Sequence, residues 1–258
     1  MITIKNSEEI VAMRKVGRIT ADILAEICAA VAIGVSTWEL DQLAIKSLKA
    51  HNAVGACYNY QGRSRQPFPA HICISLNDEI VHGIPSKTRK IQSGDIVSLD
   101  LVAQHEGFMG DSTQTVAVGD VSDDVKKLLS VTERALHAGA EQAIEGNHVG
   151  DISFAIQRCA EEADLGIVRN LVGHGIGRNM HEEPNIPNFG EKGKGPRLEA
   201  GMTFAIEPML MLGSEKILLD ADGWTVRTAD GKYAAHFEHT VLVTKGAPEI
   251  LTRYVATS

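Results

Sequence analysis

The sequence predicts an α+β protein in which helices cover antiparallel strands, built as two similar halves. Four segments combine helix-capping residues with apolar residues at helical spacing, and strand-like segments lie between them. Segments 94–104 and 107–120 are separated only by a short turn, which predicts a hairpin. The element order then recurs, and each half carries a His-Gly-Ile triplet, at His82 and at His174.

Capping residues mark the two helices predicted in the first half. Asn6 or Ser7 can cap a helix that we expect to close at Gly34. Ser36 and Glu39 form a capping box for the second helix. The polar, Pro- and Gly-containing residues that follow predict a loop leading into the first strands.

The second half repeats this order with two helices followed by strands. The predicted bounds are a helix from Ser122 to near Gly146, a helix from Asp151 to about Asp164, a strand and glycine loop over 167–177, an apolar strand over 202–212 and a hairpin over 223–244 that turns at Asp230–Gly231. We therefore expect one catalytic domain over residues 1–258, with halves of about 1–120 and 121–258.

The bulk composition narrows the class of protein. The chain has 258 residues, of which 44% are hydrophobic and 22% charged, as in soluble globular proteins. It has no apolar run of about 18 residues and no signal-peptide pattern, so we expect a cytoplasmic protein without a membrane partner. A net charge of −8 disfavours direct binding to nucleic acid.

Common catalytic and ligand motifs are absent. The four cysteines form no C-x-x-C pair, so we expect free thiols and neither a zinc knuckle nor a redox dithiol. The segment GHGIGRN lacks the third glycine of a dinucleotide loop, because Arg178 occupies that position. No H-E-x-x-H or G-x-S-x-G motif occurs.

Four acids lie inside apolar strand segments, where a lone carboxylate is costly. They are Asp100 in SLDLV, Asp111 in FMGDST, Glu207 in FAIEPM and Glu238 in HFEHT. A hairpin turning near Glu106 would bring Asp100 close to Asp111. Each acid alone is more typical of a solvent-facing or ion-paired residue, but the four together, with His174 as a fifth candidate, favour metal ligands.

Four carboxylates and one imidazole suit two divalent ions such as Mn, Fe(II) or Co, with Zn as another possibility. A pair of metals can hold a bridging hydroxide, and some aminopeptidases use such pairs. His105, His236 and His239 are interpreted instead as structural or surface residues.

These segments together resemble the type I methionine aminopeptidases, from NSEEIVAMRKVGR to HFEHTVLVT. The resemblance implies a pita-bread fold and a dimetal hydrolase that removes initiator methionine when the second residue is small. It implies that Asp100 holds one metal, that Asp111 and Glu238 bridge, and that His174 and Glu207 complete the second metal. Glu207 would also shuttle protons.

The resemblance also implies the substrate contacts. His82 in NDEIVHGIP and His181 in HEEP would hydrogen-bond the peptide and stabilise its tetrahedral intermediate, although each histidine alone is more typical of a turn. The residues that match the methionine pocket are Cys57, Tyr60 and Trp224. Two departures concern this pocket: Met180 replaces an aromatic residue, and the segment 61–70 is longer than usual, so that Phe68 can replace a pocket aromatic.

The resemblance implies that the substrates are the N-termini of nascent proteins. It also implies that the enzyme is a monomer. Cotranslational action is compatible with a ribosome contact, for which the sequence carries no signal. Two alternatives stay open. An X-Pro aminopeptidase or prolidase shares the fold and ligand set, although those enzymes usually carry a further N-terminal domain. A non-catalytic binding protein of this fold would be expected to have lost ligands, whereas all five are present.

Overall fold

The computed structural model describes residues 1–62 and 64–253, which form four helices and fifteen strands. The helices are α1 Ser7–Ala29, α2 Thr37–Ala50, α3 Asp123–Ala140 and α4 Val149–Glu162. The strands are β1 Val54–Gly55, β2 Cys73–Leu76, β3 Glu79–Val81, β4 Ile96–His105, β5 Phe108–Ala117, β6 Gly166–Ile167, β7 Gly173–Gly175, β8 Glu182–Ile186, β9 Thr203–Ile206, β10 Met209–Met211, β11 Ile217–Leu219, β12 Val226–Thr228, β13 Ala234–His236, β14 Glu238–Leu242 and β15 Glu249–Ile250.

Every pairing between the named strands is antiparallel, which confirms the predicted α+β class. Nine strands form the central sheet, in the order β1-β4-β5-β14-β9-β7-β8, with β2 beside β4 and β15 beside β14. Two three-stranded sheets, β13-β10-β6 and β11-β12-β3, lie beside it. The division into halves of about 1–120 and 121–258 stays a prediction.

The helix starts follow the predicted caps. The Asn6 side chain accepts hydrogen bonds from the backbone of Glu8 and Glu9, and Ser36 forms its capping box with Glu39. The predicted ends are less accurate, because two helices stop before their glycines: α1 ends at Ala29 and α3 at Ala140. The last helix begins two residues earlier than predicted, at Val149.

The hairpin predicted before residue 120 is confirmed. β4 and β5 pair over ten residues each, from Ile96–Ala117 at the open end to His105–Phe108 at the turn. Glu106 and Gly107 form the turn with φ of 49° and 81°. This left-handed backbone is easily adopted by glycine, which explains why the chain reverses there.

The hairpin predicted over 223–244 is wrong. β12 pairs with β11 and β3, whereas β13 pairs with β10, so the two segments belong to different sheets. The turn at Asp230–Gly231 exists, but the chain leaves it to join another partner. Two apolar segments around an Asp-Gly pair predict that they pair with each other, but they give no information about other strands. Here β12 and β13 each pair with another strand instead.

The helices cover one face of the central sheet. Leu99 and Leu101 of β4 pack with Ile23 and Ile27 of α1, while Phe204 of β9 packs in the core that α3 and α4 share. Successive residues of a strand point to opposite faces, so Asp100 lies on the face that the helices leave uncovered. Among the described residues, no helix is long and apolar enough to cross a membrane.

Candidate metal centre and substrate cavity

Strand register places the predicted acids in adjacent rows on the uncovered face of the central sheet. In one row, Asp100 of β4 is opposite Thr113 of β5, which is opposite Glu238 of β14. In the next row, Asp111 of β5 is opposite Val102. Asp100 and Asp111 are therefore diagonal neighbours on one face, close to the arrangement predicted from the hairpin.

The second half of the chain supplies the remaining candidates. His174 of β7 is opposite Ala205 of β9, which is opposite Thr240 of β14. The Thr240 hydroxyl donates to the backbone oxygen of Asp111, at 2.9 Å, so His174 and Asp111 belong to the same row. Glu207 follows directly after β9, and its side chain joins the group from the strand end.

The side chains converge closely. One ligand atom from each of Asp111, His174 and Glu238 lies within 4.8 Å of the other two. His174 Nε2 is 3.9 Å from Asp111 Oδ2 and 3.6 Å from Glu207 Oε1. Asp111 Oδ1 and Glu238 Oε1 are buried without a hydrogen-bond partner among the described residues. Unpartnered carboxylate oxygens that face one another fit the requirements of a divalent cation.

Electrostatics supports the same interpretation. Burial, followed by the charges of neighbouring acids, raises the pKa of Asp111, Glu207 and Glu238 well above the ordinary range. Burial raises the pKa of Asp100 to about 6. These shifts mean that four ionised carboxylates repel one another in a poorly hydrated site. Divalent cations would remove the repulsion and let all four stay ionised.

The His174 ring is held in a ligand-ready orientation. Its Nδ1 lies 2.9 Å from the backbone oxygen of Gly175, which can only accept, so the proton sits on Nδ1. The Nε2 lone pair therefore faces Asp111 and Glu207. Burial lowers the pKa of His174 to about 3, which keeps the imidazole neutral.

The glycines around His174 serve close packing. A Cβ at Gly173 would overlap the backbone oxygen of Ala205, and one at Gly175 would overlap that of Glu183. Gly173 and Gly175 belong to β7 and have no positive φ, so the predicted glycine loop is a strand at these positions. These two glycines therefore allow the neighbouring backbone to approach closely and adopt no left-handed backbone angle.

The two predicted substrate histidines line the same cavity as the acids. The His181 ring meets the His174 ring edge-on with centroids 4.3 Å apart, and its Nδ1 lies 2.8 Å from the Tyr60 hydroxyl. His82 has a φ of 60° and packs edge-on against Trp224. Burial lowers the pKa of His181, and burial, followed by the nearby His181, lowers that of His82 to about 4. Both rings are therefore neutral near pH 7.

An apolar wall completes this cavity, which has a volume of about 1240 Å³. The Phe68 and Trp224 rings meet edge-on at 5.3 Å, and Trp224 Nε1 donates to the backbone oxygen of Gln66 at 3.0 Å. Cys57 and Met180 pack in the same cluster. The predicted pocket residues and Phe68 therefore lie together, while Arg63 of the long 61–70 segment lies outside the described residues.

Two cavity residues next to the acids were not predicted from the sequence as part of the site. His236, interpreted as structural or surface, is 2% exposed and lies 3.9 Å from Glu207. Cys73 lies opposite Asp100 in the strand register. An i, i+2 spacing from Glu238 could have pointed to His236, since alternate residues of an extended chain share a face. His239 lies on the opposite face, where its Nδ1 pairs with the Thr252 hydroxyl.

Comparison with known proteins gives the class first. The model of metallopeptidase family M24 matches residues 11–245. The X-Pro aminopeptidase of Thermotoga maritima shares the fold, with a TM-score of 0.74 and 20% identity over 98% of this chain and 62% of that chain. Both findings place the cluster of acids and His174 in a metallopeptidase fold, which confirms the pita-bread architecture implied by the resemblance.

Closer relatives are more specific. The methionine aminopeptidase of Clostridium acetobutylicum is 45% identical over 252 residues, covering 98% of this chain and 99% of the relative. The crystal structure of methionine aminopeptidase from Rickettsia prowazekii has a TM-score of 0.94 and 40% identity, covering 98% of this chain and all of that chain. The chain therefore belongs to the methionine aminopeptidases within metallopeptidase family M24.

Proposed function

We propose that the chain removes the initiator methionine from nascent proteins whose second residue is small. One observation carries the proposal. The cluster of buried acids with His174 and the apolar wall of Cys57, Phe68 and Trp224 border one cavity. A peptide bond at the acids would therefore place the side chain on its amino side against sulfur and aromatic rings, which suit methionine.

The metal centre is the first part of this proposal. The residues that would hold two divalent ions are Asp100, Asp111, His174, Glu207 and Glu238, with Mn, Fe(II) or Co as the candidate metals and Zn as a further candidate. When bound, the two ions would polarise the scissile carbonyl and lower the pKa of a water molecule. The raised carboxylate pKa values and the unpartnered oxygens of Asp111 and Glu238 support this assignment.

The protein groups would carry the proton transfers. A carboxylate oxygen of Glu207 would take a proton from the attacking water and pass it to the leaving amine. Glu207 is placed for this task, because its carboxylate borders the cavity and Oε1 lies 3.6 Å from His174 within the acid cluster.

The two substrate histidines would act as hydrogen-bond donors. The Tyr60 hydroxyl can donate to His181 Nδ1, which puts the ring proton on Nε2 and leaves it free for a peptide oxygen. A donor aimed at an oxygen that gains charge in the transition state accelerates cleavage more than it strengthens binding. His82 would act in the same way from the side of Trp224.

Peptide cleavage by reloaded enzyme tests the proposal. The protein would be freed of metal with a chelator, then loaded separately with Mn, Fe(II), Co or Zn and given Met-Ala-Ser, Met-Leu-Ser and Ala-Pro-Ser. We expect methionine release from Met-Ala-Ser alone. Cleavage of Ala-Pro-Ser instead would favour an X-Pro aminopeptidase, and folded protein inactive with every metal would favour a binding protein.

Two variants control for the acid cluster. Asp111→Asn removes one charge from the cluster and is expected to abolish cleavage. Asp123→Asn removes a charge from the exposed first turn of α3 and is expected to leave cleavage unchanged. Equal activities of these two variants would contradict the assignment of Asp111.

The cellular setting belongs to the same proposal. We infer a cytoplasmic monomer that acts on the peptide N-termini of nascent proteins, with a ribosome contact that serves cotranslational cleavage. Sedimentation of the purified protein alone and with ribosomes tests both points. A stable oligomer, or a failure to pellet with ribosomes that expose a nascent chain, would contradict the respective inference.

A further inference from the structure

His236 is a buried histidine that the mechanism above leaves without a role. It ends β13, opposite Met209 of β10, and so lies beside the segment that carries Glu207. Its backbone is fixed from both sides by Thr115, whose hydroxyl contacts the backbone oxygen at 2.6 Å and the backbone nitrogen at 3.2 Å. These contacts fix the backbone position from which the ring projects.

Both ring nitrogens of His236 are buried without a hydrogen-bond partner among the described residues. A buried imidazole with no partner is costly, so its environment is expected to supply one. Glu207 Oε2 lies 3.9 Å from Nε2 of the ring. A hydrogen bond needs a distance near 2.9 Å, so the two atoms would have to approach each other by about 1 Å.

Glu207 thus lies between two histidines that face different oxygens. His174 Nε2 is 3.6 Å from Oε1, and His236 Nε2 is 3.9 Å from Oε2. His174 keeps its proton on Nδ1, so it offers a lone pair on the Oε1 side. The His236 ring has no such bond at Nδ1 and can carry its proton on Nε2. The His174 ring is therefore suited to accept at Nε2, and the His236 ring is suited to donate from Nε2.

We propose that His236 is a positioning residue whose Nε2–H holds Oε2 of Glu207, so that Oε1 is presented to the metal centre. The inference rests on the proposed function, because it takes Glu207 as a metal ligand and proton carrier. Carboxylates that bind metal are commonly oriented by an outer hydrogen bond of this kind. With Oε2 held, Glu207 would have Oε1 free for a bound ion, and the orientation of its carboxylate would be fixed.

Three variants test the donor role. His236→Leu removes the donor, His236→Gln keeps an amide donor, and His239→Gln alters a buried histidine on the opposite face as a matched control. Metal-free proteins are titrated with Co(II) by calorimetry and visible absorption, and kcat and KM are measured with Met-Ala-Ser.

Loss of the donor should weaken the binding of one of the two Co(II) ions by about 10- to 100-fold and change the visible spectrum. We expect kcat to fall by a similar factor with KM nearly constant, because the substrate side chain binds elsewhere. His236→Gln should restore both readouts to within about threefold of wild type by the same relation. His239→Gln should match wild type in metal affinity and spectrum.

Two results would overturn the inference. One is a His236→Leu protein with wild-type Co(II) affinity, spectrum and kcat. The other is a His236→Gln protein that is folded but as impaired as His236→Leu, which would assign the effect to ring shape. If His236→Leu does not fold, NMR of the ¹⁵N-histidine-labelled, Zn-loaded protein gives the tautomer directly, with the His236 signal identified from His236→Gln. A proton on Nδ1 would then refute the inference.

The Co(II) titration also separates this inference from the proposed function. It needs no substrate, so a wild-type protein that binds two ions but does not cleave Met-Ala-Ser would refute the function and still report on His236. Cleavage of Met-Ala-Ser with an unchanged titration in His236→Leu would leave the function standing and refute the role of His236.

Discussion

The two walls of the cavity differ in how they are built. The acidic wall consists of Asp100, Asp111, His174, Glu207 and Glu238. Four of these residues lie on the paired strands β4, β5, β14 and β7, whose register fixes their side chains relative to one another, and Glu207 directly follows β9. The apolar wall comes largely from segments between strands, including Cys57, Phe68 and Trp224. The groups proposed for the chemistry therefore depend on the sheet, whereas those proposed to select the substrate side chain lie largely on loops, which vary more than the elements they connect.

The largest effect should follow from weakening the acidic wall at its centre. Glu238 is 2% exposed, accepts a hydrogen bond from the Thr113 hydroxyl at 2.8 Å, and shares the cluster with Asp111 and His174. We expect Glu238→Gln to lower kcat/KM by more than about 100-fold, since even an outer partner costs up to that much.

Metal content distinguishes this explanation from a general loss of structure. The Glu238→Gln protein should fold, because the amide keeps the shape of the side chain, but should bind fewer than two metal ions per chain by elemental analysis. A variant that kept two ions and full activity would mean that Glu238 stabilises the sheet and is not a metal ligand.

A second prediction tests how tightly the backbone positions His174. An added methyl group at Gly175 would overlap the backbone oxygen of Glu183 and push β7 away from β8. We expect Gly175→Ala to lower the free energy of unfolding by about 1–3 kcal/mol, the typical cost of overpacking. Gly246→Ala, where an added Cβ would meet no atom within 4 Å, is the control for alanine itself. Equal unfolding midpoints in urea would contradict the packing argument.

A third prediction concerns how the buried carboxylates make the stability of the metal-free protein depend on pH. The pKa of Asp100 is raised from 3.8 to about 6, so the folded state binds a proton more tightly than the unfolded state. Its contribution to stability is therefore complete below about pH 4 and is lost as the pH rises through 6, by about 3 kcal/mol in total. Asp100→Asn should remove that loss.

Thermal unfolding of metal-free protein between pH 4.5 and 7.5 checks the sign. The Asp100→Asn protein should be more stable than wild type at pH 7.5, and the difference should shrink toward pH 4.5. Saturating Mn(II) should remove or reverse the difference at pH 7.5, because the cation then favours the ionised carboxylate. A constant difference across the pH range would show that the repulsion is unimportant.

The same contrast explains what the sequence could predict. Asp100 was identifiable because a carboxylate between Leu99 and Leu101 conflicts with its surroundings, and such local conflicts need no knowledge of distant contacts. The hairpin predicted at Asp230–Gly231 failed because β12 and β13 each find partners far away along the chain. For His236, the i, i+2 spacing from Glu238 indicates the shared face, but its position beside the segment that carries Glu207 depends on the long-range pairing of β13 with β10.

A fourth prediction moves to the apolar wall. Trp224 contacts Phe68 and His82 and anchors the long loop through Gln66, so its loss should enlarge and loosen the pocket. We expect Trp224→Ala to raise KM for Met-Ala-Ser by about tenfold, the effect of losing roughly one buried contact of 1.4 kcal/mol. Metal affinity should stay at the wild-type value. A parallel loss of metal would show that the two walls are not independent.

The smallest effect should come from a substitution of Met180, which occupies a position where the methionine aminopeptidases usually have an aromatic residue. Met180 is 8% exposed and packs with Cys57 and Phe68, and its flexible side chain can adapt to different occupants. Met180→Phe should stiffen the pocket and increase the preference for Met-Ala-Ser over norleucine-Ala-Ser by about two- to fivefold in kcat/KM, below the cost of a whole methylene. Steady-state kinetics on both peptides measures the ratio. If it falls instead, the methionine at this position supplies part of the selectivity through its own sulfur, and the pocket depends on chemistry more than on rigidity.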